Sequence, residues 1–268
     1  MVYAIGDPNP QVNGGGANAL RKAGVSVEAG LLETEAREIN IGFFSRMTTG
    51  LSWVVVKVGA SLDGKVALAN GVSQWITNDQ SRNDVQLQRA RSSAIMTGVG
   101  TVLVDDPRLT VRAEGIDMLG RRPLRVICDS QLRTPPSARI FKESGPILIF
   151  TLSEDEARIN ALIAAGAEVL QVASYADHVD LRAVLQMLAT RGCNEVLVEA
   201  GPQLSGSLVD RQLVGELLIY LAPTVLGSDA RSMLQLPSIM TMEQRRDFSL
   251  YECTQLGSDL RLRYRSLS

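Results

Sequence analysis

The sequence has few of the residues on which metal sites and disulfide frameworks depend. Its 268 residues include three cysteines, one histidine and only 4% aromatic residues. Cys128, Cys193 and Cys253 are odd in number and far apart, so we expect free thiols in a reducing compartment. A zinc deaminase site needs His-x-Glu and Cys-x-x-Cys, whereas Asp180 lies two residues after the single histidine, His178. We therefore predict no metal site.

The chain also lacks long apolar runs and a strong charge of either sign. No uninterrupted apolar run approaches the roughly 20 residues of a membrane-spanning helix, and Met1–Tyr3 do not begin a signal peptide. The net charge is −2, from 27 basic and 29 acidic residues, without the basic excess typical of nucleic-acid binding. We expect a cytoplasmic enzyme that binds neither membranes nor nucleic acid and holds any phosphorylated substrate with local arginines.

The pattern changes near residue 50. Residues 1–46 contain loop signals at 7–10 and 14–16 and one helix candidate at 33–44, too little to form a core alone. From Trp53 onwards, short β-branched runs alternate with helical segments. We therefore divide the chain into an appendage, 1–46, and a main domain, 47–268.

The main domain has the element order of an α/β fold. We predict strands at 53–58, 94–97, 124–128, 147–150, 168–172, 195–198 and 217–221, and helices at 77–91, 154–165, 181–191 and after Pro202. The spacing of Thr77 and Gln80 predicts a capping box at the first of these helices. A hairpin with strands 250–256 and 260–264 ends the chain. The expected fold is a mixed, mostly parallel sheet with helices on both faces and a C-terminal antiparallel hairpin.

Two glycine-containing turns follow buried strands. One is Thr97–Thr101 and the other is Glu199–Ser207, in which Pro202 suits the first turn of a helix. Ligands of open α/β sheets bind outside the carboxyl ends of strands, where helix amides attract phosphate. Each turn alone is equally consistent with a tight strand-to-helix connection, but the pair favours a nucleotide site. The six-residue dinucleotide fingerprint is absent, which disfavours a Rossmann domain.

Two charged residues lie in or beside apolar strands. Lys57 is embedded in the first strand and Glu199 ends another, and such charges are costly unless they are paired or functional. A snorkelling lysine, or an ion pair that only stabilises the sheet, is the alternative. Arg89 and Arg112 flank the first glycine turn. Taken alone, either arginine is consistent with an ordinary solvent-exposed residue.

Four motifs in a fixed order carry a family resemblance. Lys57–Lys65, Ser73–Thr77, Thr101–Arg112 and Glu199–Pro202 resemble the reductase half of the bifunctional riboflavin-biosynthesis deaminase–reductase. Residues 1–46 resemble the end of that family's deaminase domain and its linker. The zinc ligands and catalytic glutamate of the family lie upstream of this segment, so we expect no deaminase activity.

The resemblance implies a dihydrofolate-reductase-like fold and a homodimer. It also implies reduction by NADPH of 5-amino-6-(5-phosphoribosylamino)uracil to the ribitylamino compound, with hydride transfer to the ribose C1′. Two alternatives remain, another oxidoreductase of this fold and a non-catalytic dimerisation module. The motifs at 73–75 and 109–112 argue against the first, and the charged residues Lys57, Asp105 and Glu199 argue against the second.

The resemblance also implies the site residues. Cofactor contacts are expected at Gly59, Trp75, Thr101, Asp105, Ser130, Gly201, Pro202, Gln203, Leu204, Ser205, Gly206 and Ser207. Substrate contacts are expected at Ser73, Arg89, Leu109, Arg112 and Glu199, with Arg89 and Arg112 as a phosphate clamp.

Three further roles follow from position. We expect Lys57 and Glu199 to hold ribose hydroxyls and pass protons. Asp105 is a third candidate for that chemistry. Arg133, beyond the end of strand 124–128, is placed with Ser130 to receive the 2′-phosphate of NADPH.

Overall fold

The computed structural model describes residues 1–112 and 115–267. The chain divides into two compact units, of which one comprises Met1–Trp53 with Leu185–Glu195. The other comprises Val54–Val184 and Val196–Ser268. The boundary expected between residues 46 and 47 separates a segment derived from a deaminase domain from the reductase domain. A division into compact units does not test that origin, so the boundary stays a prediction.

The first unit contains short elements. They are β1 (Val2–Tyr3), α1 (Gly15–Lys22), β2 (Glu28–Ala29), α2 (Glu33–Ile39) and α3 (Ile41–Thr49), with β1 and β2 paired in parallel.

Two expectations for this segment are wrong. The glycines taken as a loop open a helix, since Gly14, at φ 75°, is the N-cap of α1. The helix expected over 33–44 is two helices that meet at Asn40. Asn40 Nδ2 donates to the Ala36 carbonyl (2.9 Å), a side-chain bond that competes with the helical ladder.

The second unit is built on one large sheet. Its strands are β3 (Trp53–Ser61), β4 (Lys65–Ala67), β5 (Ala94–Gly98), β6 (Leu124–Cys128), β7 (Ile147–Thr151), β8 (Glu168–Gln171), β9 (Ser174–Tyr175), β10 (His178–Val179), β11 (Glu195–Val198), β12 (Glu216–Ala222), β13 (Arg231–Ser232), β14 (Phe248–Leu256) and β15 (Asp259–Ser266). The helices are α4 (Asp79–Arg91), α5 (Val99–Asp105), α6 (Glu156–Ala164) and α8 (Pro202–Asp210), with 3₁₀ turns at Arg139–Lys142 and Met242–Gln244. The helix α7 (Leu181–Thr190) begins in this unit, and its residues from Leu185 onwards belong to the first unit.

The sheet is mixed and mostly parallel, which confirms the predicted fold class. Nine strands lie in the order β14-β15-β12-β3-β11-β5-β6-β7-β8. β12 pairs in parallel with β3, β11 with β5, and β5 to β8 pair in parallel in sequence. β15 is antiparallel to β12, and β14 to β15, so the terminal hairpin forms one edge.

The chain reverses direction across this sheet. It runs outward through β5, β6, β7 and β8 and returns to β11, on the other side of β5. Because crossovers between parallel strands are right-handed, outward and returning connections begin on opposite faces. The reversal places β5 and β11 side by side, the position at which open α/β sheets bind ligands.

The core under the outward connections is apolar. Ile95, Ile127 and Ile149 on β5, β6 and β7 pack with Val102 of α5 and Leu162 of α6. β-branched side chains suit such a buried parallel sheet. Within residues 1–112 and 115–267, no helix is long and apolar enough to span a membrane.

The start of α4 differs from the expectation. Asn78 is the N-cap, not Thr77, and its Oδ1 accepts the Ser81 amide at 2.9 Å. Both residue types are good caps, so the local pattern did not distinguish them. The segment after Gly98, expected only as an apolar stretch, is the helix α5, and the β9–β10 hairpin was not predicted.

Candidate active site

The two glycine turns meet at the carboxyl ends of β5 and β11. The Glu199 amide donates to the Met96 carbonyl (2.9 Å), and the Gly201 amide donates to Thr101 Oγ1 (3.2 Å). Gly98 and Gly201 are the N-caps of α5 and α8, and neither has a side chain to cap its helix. Pro202, the first residue of α8, has no N–H, so the amides that follow it, from Gln203 onwards, are the ones oriented to bind an anionic group.

The α8 turn divides into two parts. Pro202 occupies the first helical position, and Gln203 is exposed. Ser205 and Gly206 are buried, and a Cβ at Gly206 would lie 2.0 Å from the Gln235 carbonyl oxygen. Gly206 thus permits close packing of α8 against the backbone of Gln235. The more exposed part of the turn is its beginning, from Gly201 to Gln203.

Glu199 is held between two cations. Arg89 Nε lies 2.5 Å from Glu199 Oε1 and Arg89 Nη2 lies 2.9 Å from Oε2, while Lys57 Nζ lies 3.5 Å from Oε2. The side chains of Glu199 and Arg89 are 10% and 11% exposed. Burial alone would raise the pKa of Glu199, but the charges of Arg89 and Lys57 outweigh it and lower the pKa to about 2. Glu199 is therefore an anion at neutral pH.

Lys57 also acts on Asp105, the last residue of α5. Burial raises the pKa of Asp105, and the charge of Lys57 opposes that rise. The structure therefore brings the three predicted catalytic residues into one electrostatic neighbourhood, with Lys57 acting on both carboxylates.

Arg89 directs all three guanidinium nitrogens at acceptors in the protein. Besides its two bonds to Glu199, its Nη1 donates to the Thr110 carbonyl at 2.9 Å. Burial alone would lower its pKa, but the Glu199 carboxylate raises it above the ordinary value. Leu109, beside Thr110, is buried with φ 50°. Arg89 therefore fixes both Glu199 and the backbone beside Leu109.

Arg112 is in a different electrostatic situation. Its amide donates to Gln86 Oε1 (2.8 Å) and its Nη1 donates to Thr110 Oγ1 (3.2 Å). Among residues 1–112 and 115–267, no carboxylate lies within ion-pair distance of it. Burial and repulsion from Arg89 and Arg108 lower its pKa. An anion bound here would relieve that repulsion, so Arg112 suits a phosphate ligand.

Three predicted residues lie at or after β3. A Cβ on Gly59 would lie 3.4 Å from Thr77 Cγ2, so the strand and this segment approach closely. Ser73 is half-buried, whereas Trp75 is 71% exposed. The Arg82 guanidinium lies 4.7 Å from the centre of the Trp75 ring. The segment therefore offers an indole surface that an arginine supports from one side.

The two residues predicted for the 2′-phosphate have different surroundings. Ser130 Oγ accepts the Val179 amide (3.1 Å) and so anchors β10. Arg133 is exposed and, in the part of the chain that the structure describes, has no ion-pair partner.

The polar contacts of α4 were missed at the sequence level. Its buried face carries Ser81, Asp84 and Arg89. Asp84 Oδ2 accepts from the Tyr220 hydroxyl (2.6 Å), and its Oδ1 accepts from Arg261 Nη1 (2.7 Å). The sequence did contain a signal for these contacts. α4 has few apolar residues although it lies between buried strands in sequence, and such a helix must pack through paired polar groups.

In residues 1–112 and 115–267 no group of three or more His, Cys, Asp or Glu side chains is arranged to hold a metal ion.

Comparison with known proteins agrees with these motifs. Residues 52–262 match the model of the RibD C-terminal domain. The chain belongs to the RibD C-terminal domain family. It is 40% identical over 269 residues to the riboflavin biosynthesis protein RibD of Escherichia coli K12, covering 97% of this chain and 72% of that protein.

Solved structures show the same relationship. The RibD structure from Acinetobacter baumannii is 37% identical with a TM-score of 0.89, covering 100% of this chain and 72% of that one. A Thermotoga maritima protein, titled a diaminohydroxyphosphoribosylaminopyrimidine deaminase/5-amino-6-(5-phosphoribosylamino)uracil reductase, is 28% identical with a TM-score of 0.80, covering 99% of this chain and 70% of that one. The family resemblance inferred from the four motifs is confirmed.

Proposed function

We propose that this RibD C-terminal domain reduces the ribose of 5-amino-6-(5-phosphoribosylamino)uracil with NADPH, giving the ribitylamino product in riboflavin biosynthesis. The observation that carries the proposal is the buried Glu199, held by Arg89 and Lys57 beside the uncapped start of α8. The reductase title of the Thermotoga maritima protein supports the choice of substrate.

The residues around the glycine turns fit a nicotinamide dinucleotide. The open amides at the start of α8 suit its pyrophosphate, and the exposed Arg133 suits a 2′-phosphate. When bound, NADPH supplies the hydride. The full set of proposed cofactor residues is Gly59, Trp75, Thr101, Asp105, Ser130, Arg133 and the turn from Gly201 to Ser207.

The charges divide the proton chemistry among three residues. Glu199 stays ionised at neutral pH, so we assign it to accept hydrogen bonds from ribose hydroxyls rather than to donate a proton. Lys57, 3.5 Å from Glu199, carries protons that it can donate to the opening sugar. Asp105, whose pKa is raised by burial, is the second candidate for moving a proton.

The substrate phosphate is assigned chiefly to Arg112. Arg89 has its donors directed at Glu199 and Thr110, so its part in the clamp is to hold the segment that presents Arg112. Ser73 and Leu109 complete the proposed substrate contacts.

We also propose a cytoplasmic homodimer, in which residues 1–46 derive from the end of a deaminase domain. The terminal strand β14 is an edge of the sheet, and an edge strand can pair with a second chain. Sedimentation of the purified protein tests the dimer independently of catalysis.

NADPH oxidation in the presence and absence of the deaminated substrate tests the function. We expect oxidation only with the phosphorylated ribosylamino compound. A different oxidoreductase of this fold would prefer another member of a substrate panel, and a dimerisation module would not bind NADPH at all.

A further inference from the structure

The turn of the C-terminal hairpin is hydrogen-bonded to the first turn of α4. The Asp259 carboxylate, in a residue 1% exposed, accepts the Asn78 amide (2.8 Å) and the Ser81 hydroxyl (2.7 Å) through Oδ2. In return, Asn78 Nδ2 donates to the Leu256 carbonyl (2.7 Å) and to Ser258 Oγ (3.2 Å). These bonds join segments about 180 residues apart in sequence, and we name them the hairpin clasp.

The clasp is closely fitted. Gly257 lies at the hairpin turn with φ 64°, and a Cβ there would lie 2.7 Å from Gln80 Oε1 and 3.1 Å from Asn78 Nδ2. Asp259 also lies at the N-terminus of α4, where a carboxylate is stabilised by the outward-pointing amides. A side chain at 259 without an acceptor oxygen would leave the Asn78 amide and the Ser81 hydroxyl without their acceptor.

The same first turn of α4 supports Trp75. Arg82, one turn into the helix, stacks on the indole at 4.7 Å and donates through Nη1 to the Thr77 carbonyl. Arg82 also pairs with Asp79 in that turn. Contacts therefore run from Asp259 through the helix start and Arg82 to Trp75.

We propose that Asp259 is a positioning residue for the segment 73–77, acting through the first turn of α4 and Arg82. This rests on the proposed function, because Trp75 and Ser73 are there assigned to cofactor and substrate. The clasp keeps the indole in one place before a ligand arrives, so that binding does not have to order the segment.

The first test measures the position of Trp75 without any ligand. In a Trp53→Phe background, Trp75 is the remaining tryptophan of the two, and its fluorescence anisotropy reports local motion. We expect Asp259→Ala and Arg82→Ala each to lower the anisotropy. Asn83→Ala, an exposed position on the same helix, is the matched control and should not change it.

The second test separates positioning from stability. If the binding-competent position is occupied in about a tenth of Asp259→Ala molecules, the apparent affinity for NADPH falls roughly tenfold while kcat at saturation changes much less. Ile149→Val in the apolar core is the control for stability, because it lowers the melting temperature without touching the clasp. We expect its KM for NADPH to match that of the wild type.

A double-mutant cycle tests the route. Asp259→Ala and Arg82→Ala should be non-additive in their effects on KM, since both act through the same segment. If Asp259→Ala does not fold, Ser81→Ala removes one donor of the clasp and should show the same changes on a smaller scale.

Unchanged anisotropy in folded clasp variants, or additive effects in the cycle, would overturn the proposal. If the wild type fails to bind NADPH, the proposed function fails instead, and the anisotropy result still decides whether the clasp positions Trp75.

Discussion

Arg89 and Glu199 form a two-pronged ion pair, with Nε–Oε1 and Nη2–Oε2 distances of 2.5 and 2.9 Å, although 110 residues separate them in sequence. The pair joins α4 to the carboxyl end of β11, beside the start of α8. Because two of the Arg89 nitrogens bind Glu199, Arg89 holds Glu199 in place rather than pointing freely at a substrate phosphate. Substitutions of Arg89 and of Arg112 should therefore have different effects.

Removal of the charge of Glu199 should damage both stability and catalysis. Glu199→Gln leaves Arg89 and Lys57 without their anion, and breaking a buried pair from one side costs about 3–5 kcal/mol. Lys57→Met removes the proposed proton donor and Glu199→Gln removes the proposed anionic acceptor of the ribose hydroxyls, so each should lower single-turnover hydride transfer, by about 10²-fold or more for the loss of a general acid. NADPH affinity should change little.

Melting temperature and transfer rate measured on the same preparations separate the two roles. Variants that lose thermal stability but transfer hydride at the normal rate would show that the cluster is only structural.

Arg89 and Arg112 should differ as substrate ligands. Arg112→Ala removes an arginine with no carboxylate partner in the described residues, so we expect a raised KM for substrate, by roughly 10–100-fold for a lost charged hydrogen bond. Arg89→Ala should in addition lower the melting temperature, because the buried charge of Glu199 loses its main counterion. A steady-state comparison with the dephosphorylated substrate is the check. Equal turnover of both substrates by the wild type would contradict the phosphate clamp.

Arg133 should distinguish the two nicotinamide cofactors. The side chain is exposed beyond the end of β6, and the 2′-phosphate is the group that NADPH has and NADH lacks. Arg133→Ala should weaken NADPH binding by roughly 1–3 kcal/mol and NADH binding hardly at all. Calorimetric titration with both cofactors measures the difference, and Arg139→Ala, an exposed arginine nearby, is the matched control. A uniform loss would assign the 2′-phosphate elsewhere.

Acid should unfold the wild type partly through Glu199. Its pKa is lowered from 4.5 to about 2 in the folded protein, so the unfolded chain binds the proton first as the pH falls. The contribution to stability is complete above pH 4.5 and is lost as the pH approaches 2. A shift of about 2.5 pKa units corresponds to about 3.5 kcal/mol at most, since each unit corresponds to about 1.4 kcal/mol. Urea unfolding between pH 7 and 3 should therefore show a steeper loss for the wild type than for Glu199→Gln, and parallel curves would refute the assignment.

Local sequence predicted the strands of the large sheet, although not the short strands outside it. Apolar β-branched runs have one stable environment, a covered parallel sheet, so β6 and β11 were predicted with their observed bounds. Glycine after a strand permits a tight turn and proline fixes φ at the start of a helix, which is why both turns beside Thr97 and Gly201 were recognised. The four motifs were sufficient to identify the family. Lys57 and Glu199 were recognised as site candidates because a charged side chain in or beside an apolar strand is costly unless it is paired or functional.

Only the tertiary structure decided how those charges are paired. Sequence placed Arg89 on a helix and Glu199 at a strand end, but whether Arg89 meets a substrate phosphate or a carboxylate depends on the packing of α4 on the sheet. The same holds for Asp259, whose neighbours Asn78 and Ser81 are about 180 residues away in sequence. Hydrogen bonds and ion pairs act over a few ångströms, and the fold, not the spacing along the chain, sets which polar groups come within that range.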